Sequence, residues 1–267
     1  MKKNKTSVSG SIYLVIMLIF LYAPIVLLIL YSFNEGKSMS HWTGFSLKWY
    51  VELFKDRDMM QAVSVTISVA VLSALFATII GTFAAIGIHS MKKKNRSIIM
   101  GITNLPVVNP DIVTGISLML IFTFLNIPLG YTTLLLSHIT FNIPYVILAV
   151  MPKLKQSSNA LYEAALDLGA SPFYALRRIV IPDIMPGIIT GAILAFTLSL
   201  DDFVISFFTR QKIQNISIII YSMARTGIKP KINALSAIMF VVVLALLLLV
   251  NLRSNDNKKN NHKKAKA

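Results

Sequence analysis

The sequence has no cysteine, which excludes a disulfide framework and a thiolate metal site. It has no G-x-x-x-x-G-K-[ST] stretch, so the chain does not bind ATP through a P-loop of its own. Its four histidines, His41, His89, His138 and His262, are scattered and lack the i, i+4 spacing of a helical zinc site, and no chemistry is assigned to them. An intramembrane nucleophile or metal set is also missing, which argues against a membrane-embedded enzyme. Charge is scarce: 14% of the 267 residues are charged, against about 25% in a soluble domain. Acids are scarcer still, 11 against 26 lysines and arginines, a net charge of +15. These bases sit in short clusters at the ends of apolar runs, not on a continuous face with stacking aromatics, which excludes nucleic acid as the partner.

What is present is apolar and comes in blocks. Hydrophobic residues make up 55% of the chain. The blocks are rich in Ile, Leu, Val and Ala and mostly reach the roughly 20 residues that a helix needs to cross a bilayer. They lack the alternation of membrane barrels, so backbone groups are satisfied within helices. The expected fold class is all-α, a polytopic membrane protein of six transmembrane helices at about 11–33, 60–89, 98–125, 130–151, 184–208 and 232–252. Residues 1–254 form one transmembrane domain, and 255–267 a polar, basic, disordered tail that meets anionic lipid. The first run lacks a small-x-small cleavage site and reads as an uncleaved span. The segments 1–5, 91–96, 153–178 and 253–266 hold 3, 4, 4 and 6 lysines and arginines, while 34–58 and 210–231 hold 4 and 5. The positive-inside rule then puts both termini in the cytoplasm.

Two spans carry unusual features. The second is rich in small residues, among them Ser73, Ala77 and Gly81, and reads as a central packing helix. The third contains Pro106 and Pro110 around Asn109 and Asp111, which predicts a broken or kinked half-span. In the first outer connection, Trp42, Phe45, Trp49, Tyr50 and Phe54 read as an interfacial anchor.

The connection 152–182 is far longer than a helix-to-helix turn requires. ALYEAALDL is made of strong helix formers, Gly169 stands where a left-handed cap belongs, and Ser171 with Pro172 opens a second helix through FYALRRIVI. The spacing predicts a helical hairpin with one apolar stripe at Leu161, Ala164, Ala165 and Leu168 and another at Phe173, Leu176 and Val180. Two readings fit equally: docking into another protein, or folding back on the membrane surface.

Glu163-Ala164-Ala165, three residues, Gly169, nine residues, Ile179, one residue, Ile181, Pro182 resembles the EAA loop of permease subunits in binding-protein-dependent ABC importers, E-A-A-x3-G-x9-I-x-L-P. Six of the seven fixed positions match, Ile181 standing for Leu. The resemblance implies a cytoplasmic coupling-helix hairpin that sits in a cleft of an ATPase subunit, with Glu163, Ala164, Ala165, Gly169, Ile179 and Pro182 as ATPase-coupling residues.

The fifth span contains Asp201 and Asp202 in an otherwise uncharged run. A carboxylate within a span costs at least about 2.5 kcal/mol on insertion scales, so it faces a cavity, a cation or a partner. Asp202 lines up with Ser199, Ser206 and Thr209, which makes it the better candidate for a water-lined path; Phe203, Phe207 and Phe208 nearby suit an amine cation. The alternative is a helix that simply ends here, with both acids as caps or counter-charges to Arg210. Asp111 carries the same two readings.

SLDDFVIS (199–206), followed by IYSM (220–223) and G-x-x-P-x-x-N-A-L (227–235), resembles the second permease subunit of spermidine/putrescine importers. That resemblance implies the MetI-like permease architecture and a non-catalytic subunit of the bacterial cell membrane. It implies a second homologous permease, a cytoplasmic ABC ATPase dimer that binds ATP and Mg, an extracytoplasmic binding protein and a polyamine cargo. This chain itself would hold no cofactor or metal. Tyr221 joins Asp202, Asp201, Ser199, Ser206, Phe203 and Asp111 as substrate-pathway candidates. Lys229 and Lys231 depart from what a polycation would favour in the outer loop. An importer of another small solute, and less so an ion-gradient carrier, stand as alternatives.

Overall fold

A computed structural model describes residues 8–37, 41–157, 159–227 and 229–245. The N-terminal MKKNK, the basic tail 255–267 and the last part of the sixth apolar block lie outside these residues. The helices are α1 (Val8–Ser32), α2 (Lys48–Lys55), α3 (Arg57–Ser90), α4 (Lys93–Val108), α5 (Asp111–Phe124), α6 (Tyr131–Gln156), α7 (Asn159–Asp167), α8 (Pro172–Ala175), α9 (Ile181–Asp201), α10 (Val204–Thr209), α11 (Ile216–Thr226) and α12 (Lys231–Ala245). A π-helical turn, Leu176–Val180, joins α8 to α9. The one extended pairing among the described residues is a single bridge, Asn34 to Phe45.

Four helices are long and apolar enough to cross a membrane: Ile12–Ser32, Arg57–Ser90, Tyr131–Gln156 and Pro172–Asp201. α4 and α5 together make a fifth, bent by 103°. The cause of the bend is local, because Pro110 forces Asn109 out of the helical region, to φ −78° and ψ 141°. α12 stands where the sixth block was expected and is described as far as Ala245. The fifth block, expected as one helix over 184–208, is interrupted after Asp201, where Asp202 takes ψ 125°.

The chain packs as two compact units, one from its two ends, up to Met60 and from Ser222, and one from Gln61 to Tyr221. In the first, Asn34 is fully buried and organises the connection that follows α1. Its side chain donates to the carbonyl of His41 at 2.8 Å and accepts from the backbone N–H of Thr43 at 2.8 Å. The indole N–H of Trp49 donates to the Asn34 carbonyl at 2.6 Å. Trp49 is therefore 3% exposed, turned inward instead of standing as an interfacial anchor, while Trp42, Phe45 and Phe54 are exposed. Asp56 pairs with Lys231 in the same unit.

In the second unit α6 is the most buried of the spanning helices and packs against both α3 and α9. Small residues allow the approach: a Cβ built at Gly81 of α3 would lie 2.8 Å from Cβ of Val146, and one at Gly191 of α9 would lie 3.2 Å from Cγ1 of the same valine. Dispersion at such separations, not water exclusion, holds helices together in lipid. The sequence suggested α3 as the central packing helix; it supplies Ala74, Ala77 and Ala85 to the core, and α6, through Val146, meets both it and α9.

Gly81→Leu should lower the thermal midpoint of the detergent-purified protein by the equivalent of about 1–3 kcal/mol, the usual cost of overpacking. Gly101→Leu, where an added Cβ meets nothing within 4 Å, should leave the midpoint unchanged.

The hydrogen bond from Lys231 holds the Asp56 carboxyl below its ordinary value of 3.8. The stabilisation from that pair is full above pH 3.8 and is lost as pH falls through the lower folded-state value. Asp56→Asn should thus cost about 1 kcal/mol at pH 7, with the difference from the parent closing in denaturation series taken below pH 4.

Candidate functional site

The hairpin at 159–182 is built by short-range signals. Gly169 sits at φ +84°, a conformation glycine adopts without the penalty of a Cβ. It closes α7 in a Schellman arrangement, with the Gly169 N–H donating to the Leu166 carbonyl at 2.9 Å and that of Ala170 to Ala165 at 3.0 Å. The Ser171 hydroxyl then accepts from the Tyr174 N–H at 3.3 Å, with Pro172 in the first turn of α8. The turn that follows widens to π over Leu176–Val180. Pro182 explains the widening: in a regular α-turn its ring would strike the carbonyl of residue 178. Helix then continues through α9 with no loop, so the second arm of the hairpin and the fifth span are one rod.

Glu163, Ala164, Gly169 and Pro182 are exposed, and Ala165 and Ile179 half-buried. Around them Leu161, Leu168, Phe173 and Tyr174 are 65, 89, 69 and 56% exposed. The hairpin thus offers an apolar surface that nothing among the described residues covers.

At the far end of α9 lies a buried polar chain. Nδ2 of Asn142 donates to Oγ of Ser73 (3.4 Å), and that hydroxyl to Oγ of Ser199 (3.0 Å). Ser199 meets Nδ1 of His138 at 2.6 Å, while Nε2 of the same ring lies 3.0 Å from Oγ of Ser206 and 3.4 Å from Oδ2 of Asp202. A proton on Nε2 fits this run of donors: Ser199 donates to Nδ1, and Nε2–H donates toward Ser206 and Asp202. Asn215 completes the group by donating to Ser206 at 2.9 Å. All these side chains are buried, as they must be where no water replaces a lost partner.

Asp202 also caps α10, accepting from the N–H groups of Ile205 (3.2 Å) and Ser206 (2.8 Å). Its side chain is 7% exposed. The carboxylate that the sequence favoured for a water-lined path is therefore engaged within the chain, and its neighbour is the exposed one. Asp201 ends α9 on the other side, with its carbonyl accepting from the Ser217 hydroxyl at 3.3 Å. Beside it the Phe203 ring lies 4.5 Å from that of Tyr221 and 5.5 Å from that of Phe207. Phe207 and Tyr221 are 45 and 42% exposed. Asp111 is exposed at the start of α5 and makes none of these hydrogen bonds among the described residues.

Residues 77–254 match the family described as "Binding-protein-dependent transport system inner membrane component". The chain belongs to that family. As a member of this inner membrane component family, it resembles the "Spermidine/putrescine transport system permease protein PotC" of Escherichia coli (strain K12), 40% identical over 243 residues, which are 91% of this chain and 92% of the relative. The "Putrescine transport system permease protein PotI" of the same strain is 38% identical over 232 residues, 84% of this chain and 83% of the relative. The fold resembles a solved bacterial alginate ABC transporter in complex with a pentasaccharide-bound periplasmic protein, with a TM-score of 0.70 at 21% identity over 91% of both chains. The protein is a multi-pass membrane protein of the all-helical permease architecture.

Ser73, His138, Asn142 and Asn215 were not singled out as functional in the sequence. Each is a single polar residue in an apolar run, and neither period nor spacing says that the four converge, since His138 and Ser199 are 61 positions apart.

Asp202→Ala removes a cap and an imidazole partner together and should destabilise the purified protein by about 1–3 kcal/mol. Asp201→Ala, on the exposed side, should stay within about 0.5 kcal/mol of the parent in the same thermal unfolding series.

Proposed function

We propose that this chain is the membrane-spanning permease subunit of an ATP-driven importer of polyamines, spermidine or putrescine. The observation that carries the reading is the exposed Asp201 two residues before Phe203, whose ring meets those of Phe207 and Tyr221, in a chain 40% identical to a named spermidine/putrescine permease. An alkylammonium gains charge pairing from the first and cation–π contact from the rings. Asp201 meets the cargo, while Asp202, Ser199 and Ser206 shape the path from behind. Asp111 lines the path from the α4–α5 bend. Lys231, whose charge would oppose a polycation, is paired with Asp56.

The subunit is non-catalytic. It forms half of the pathway, with a second homologous permease supplying the other half and an extracytoplasmic binding protein delivering cargo. ATP and Mg are bound by a cytoplasmic ATPase dimer. Glu163, Ala164, Ala165 and Gly169 dock on that dimer with the exposed Leu161 and Leu168, and Ile179 and Pro182 hand the movement to α9. Both termini face the cytoplasm of a bacterial cell, as the distribution of lysine and arginine supports.

The test is uptake of labelled spermidine and putrescine by cells that express the whole subunit set with this chain, Gly169→Val or Asp201→Asn. Gly169→Val should abolish uptake and co-purification with the ATPase. Asp201→Asn should keep the complex and raise the half-saturating polyamine concentration about tenfold. Uptake that does not depend on this chain would overturn the polyamine assignment, and ATPase retention by Gly169→Val would overturn the coupling assignment.

A further inference from the structure

His138 holds both sides of the break in the fifth span. Its Nδ1 meets Ser199, three residues before Asp202, and its Nε2 meets Ser206, four residues after it, as well as Asp202 itself. The ring is 2% exposed and sits on α6, which the Gly191–Val146 approach holds against α9. Five residues earlier in α6, Oγ1 of Thr133 donates to the Thr209 carbonyl at 2.8 Å and fixes the far end of α10 to the same helix. α9, the break and α10 are thus referenced to one rod, and two of the hydrogen bonds that do so share a single imidazole.

A break in a helix is a place where two soft dihedrals per residue are freed from the backbone ladder. Asp202 at ψ 125° and Phe203 at φ −107° are the residues so freed. They directly follow the exposed Asp201, and Phe203 itself carries the ring that meets Phe207 and Tyr221. Whatever fixes those dihedrals also fixes where the carboxylate stands relative to the rings. The Asp202 cap acts only on the α10 side, through the N–H groups of Ile205 and Ser206. The imidazole acts on both.

We propose that His138 is a positioning residue for transport: by clamping Ser199 and Ser206 across the break it sets Asp201 against Phe203, Phe207 and Tyr221. The clamp itself rests on geometry alone; its effect on cargo rests on the reading of that face as the polyamine site. His138 touches no cargo and acts through the residues it holds.

The absence of cysteine in the chain provides the test. Asp201→Cys with Ser217→Cys places the only two thiols of this chain on neighbouring residues from either side of the break, since the Ser217 hydroxyl reaches the Asp201 backbone carbonyl at 3.3 Å. Oxidative cross-linking of that pair is measured in the assembled transporter with His138 intact and with His138→Ala. In parallel, polyamine uptake by His138→Ala without the thiols is resolved into half-saturating concentration and maximal rate per folded complex. The clamp predicts cross-linking slowed about tenfold and a half-saturating concentration raised by a similar factor. A residue needed only for folding would reduce the yield of complex and leave both quantities unchanged in what remains. If His138→Ala does not reach the membrane, His138→Gln, which keeps a hydrogen-bonding group toward Ser206 and gives up Ser199, takes its place and should cross-link at a rate between the two. Cross-linking at the parent rate in the folded variant overturns the clamp. Slowed cross-linking with unchanged uptake kinetics leaves the clamp standing and overturns Asp201 as the cargo-facing group.

Discussion

Where Val146 of α6 faces Gly191 of α9, the two backbones come so near that a methyl group on the glycine would stand 3.2 Å from the valine. Lipid tails are as apolar as the side chains they surround, so no water is released when such helices meet and shape decides the contact. The same valine lies under Gly81 of α3, which makes it the point at which three spans are referenced to one another. The rest of the second unit depends on this approach. It brings Ser199 within reach of His138 and Ser73, and at that separation hydroxyl, amide and imidazole groups join in one buried line.

From that contact the parts fall into a mechanical order. The exposed hairpin lies at one end of α9 and the polar break at the other, and helix runs between them from Pro172 to Asp201. No loop separates the hairpin's second arm from the break. Small residues on the buried face, Gly187, Gly191 and Ala195, give way to Ser199 in the last turn, so the contact with neighbouring helices changes from dispersion to hydrogen bonding along one stripe. Hydrogen bonds are directional where dispersion is not, which makes the Ser199 end of this pair the place where orientation is specified.

How much of this could be read from the sequence follows from the range of the forces involved. The hairpin was legible because its signals are local: Gly169 for a left-handed cap, Ser171 and Pro172 for a helix start, all decided within a few residues. The α4–α5 break was legible for the same reason, since Pro110 acts on Asn109 directly. The break after Asp201 has no glycine or proline to announce it; it exists because Asp202 is satisfied by the chain that follows it and by a ring on another helix. His138 could not be recognised, because a lone histidine in an apolar run has the same appearance whether or not partners await it. Stripe reasoning did group Ser199, Asp202 and Ser206, and the structure does bring them together, yet it could not say whether that stripe faced water or protein.

The π turn ahead of Pro182 can be described as a phase. Each residue of an α-helix advances the side-chain direction by about 100°. The turn at Leu176–Val180 accommodates one residue more than a regular turn would, and so offsets everything after it relative to everything before it. What it offsets is the direction in which the hairpin presents Phe173 and Tyr174 against the direction in which α9 presents Gly187, Gly191, Ala195 and Ser199. The angle between the exposed face of the hairpin and the buried face of α9 is thus written into five residues, LRRIV, and a change of one residue in that length would turn the two faces against each other while leaving each one intact.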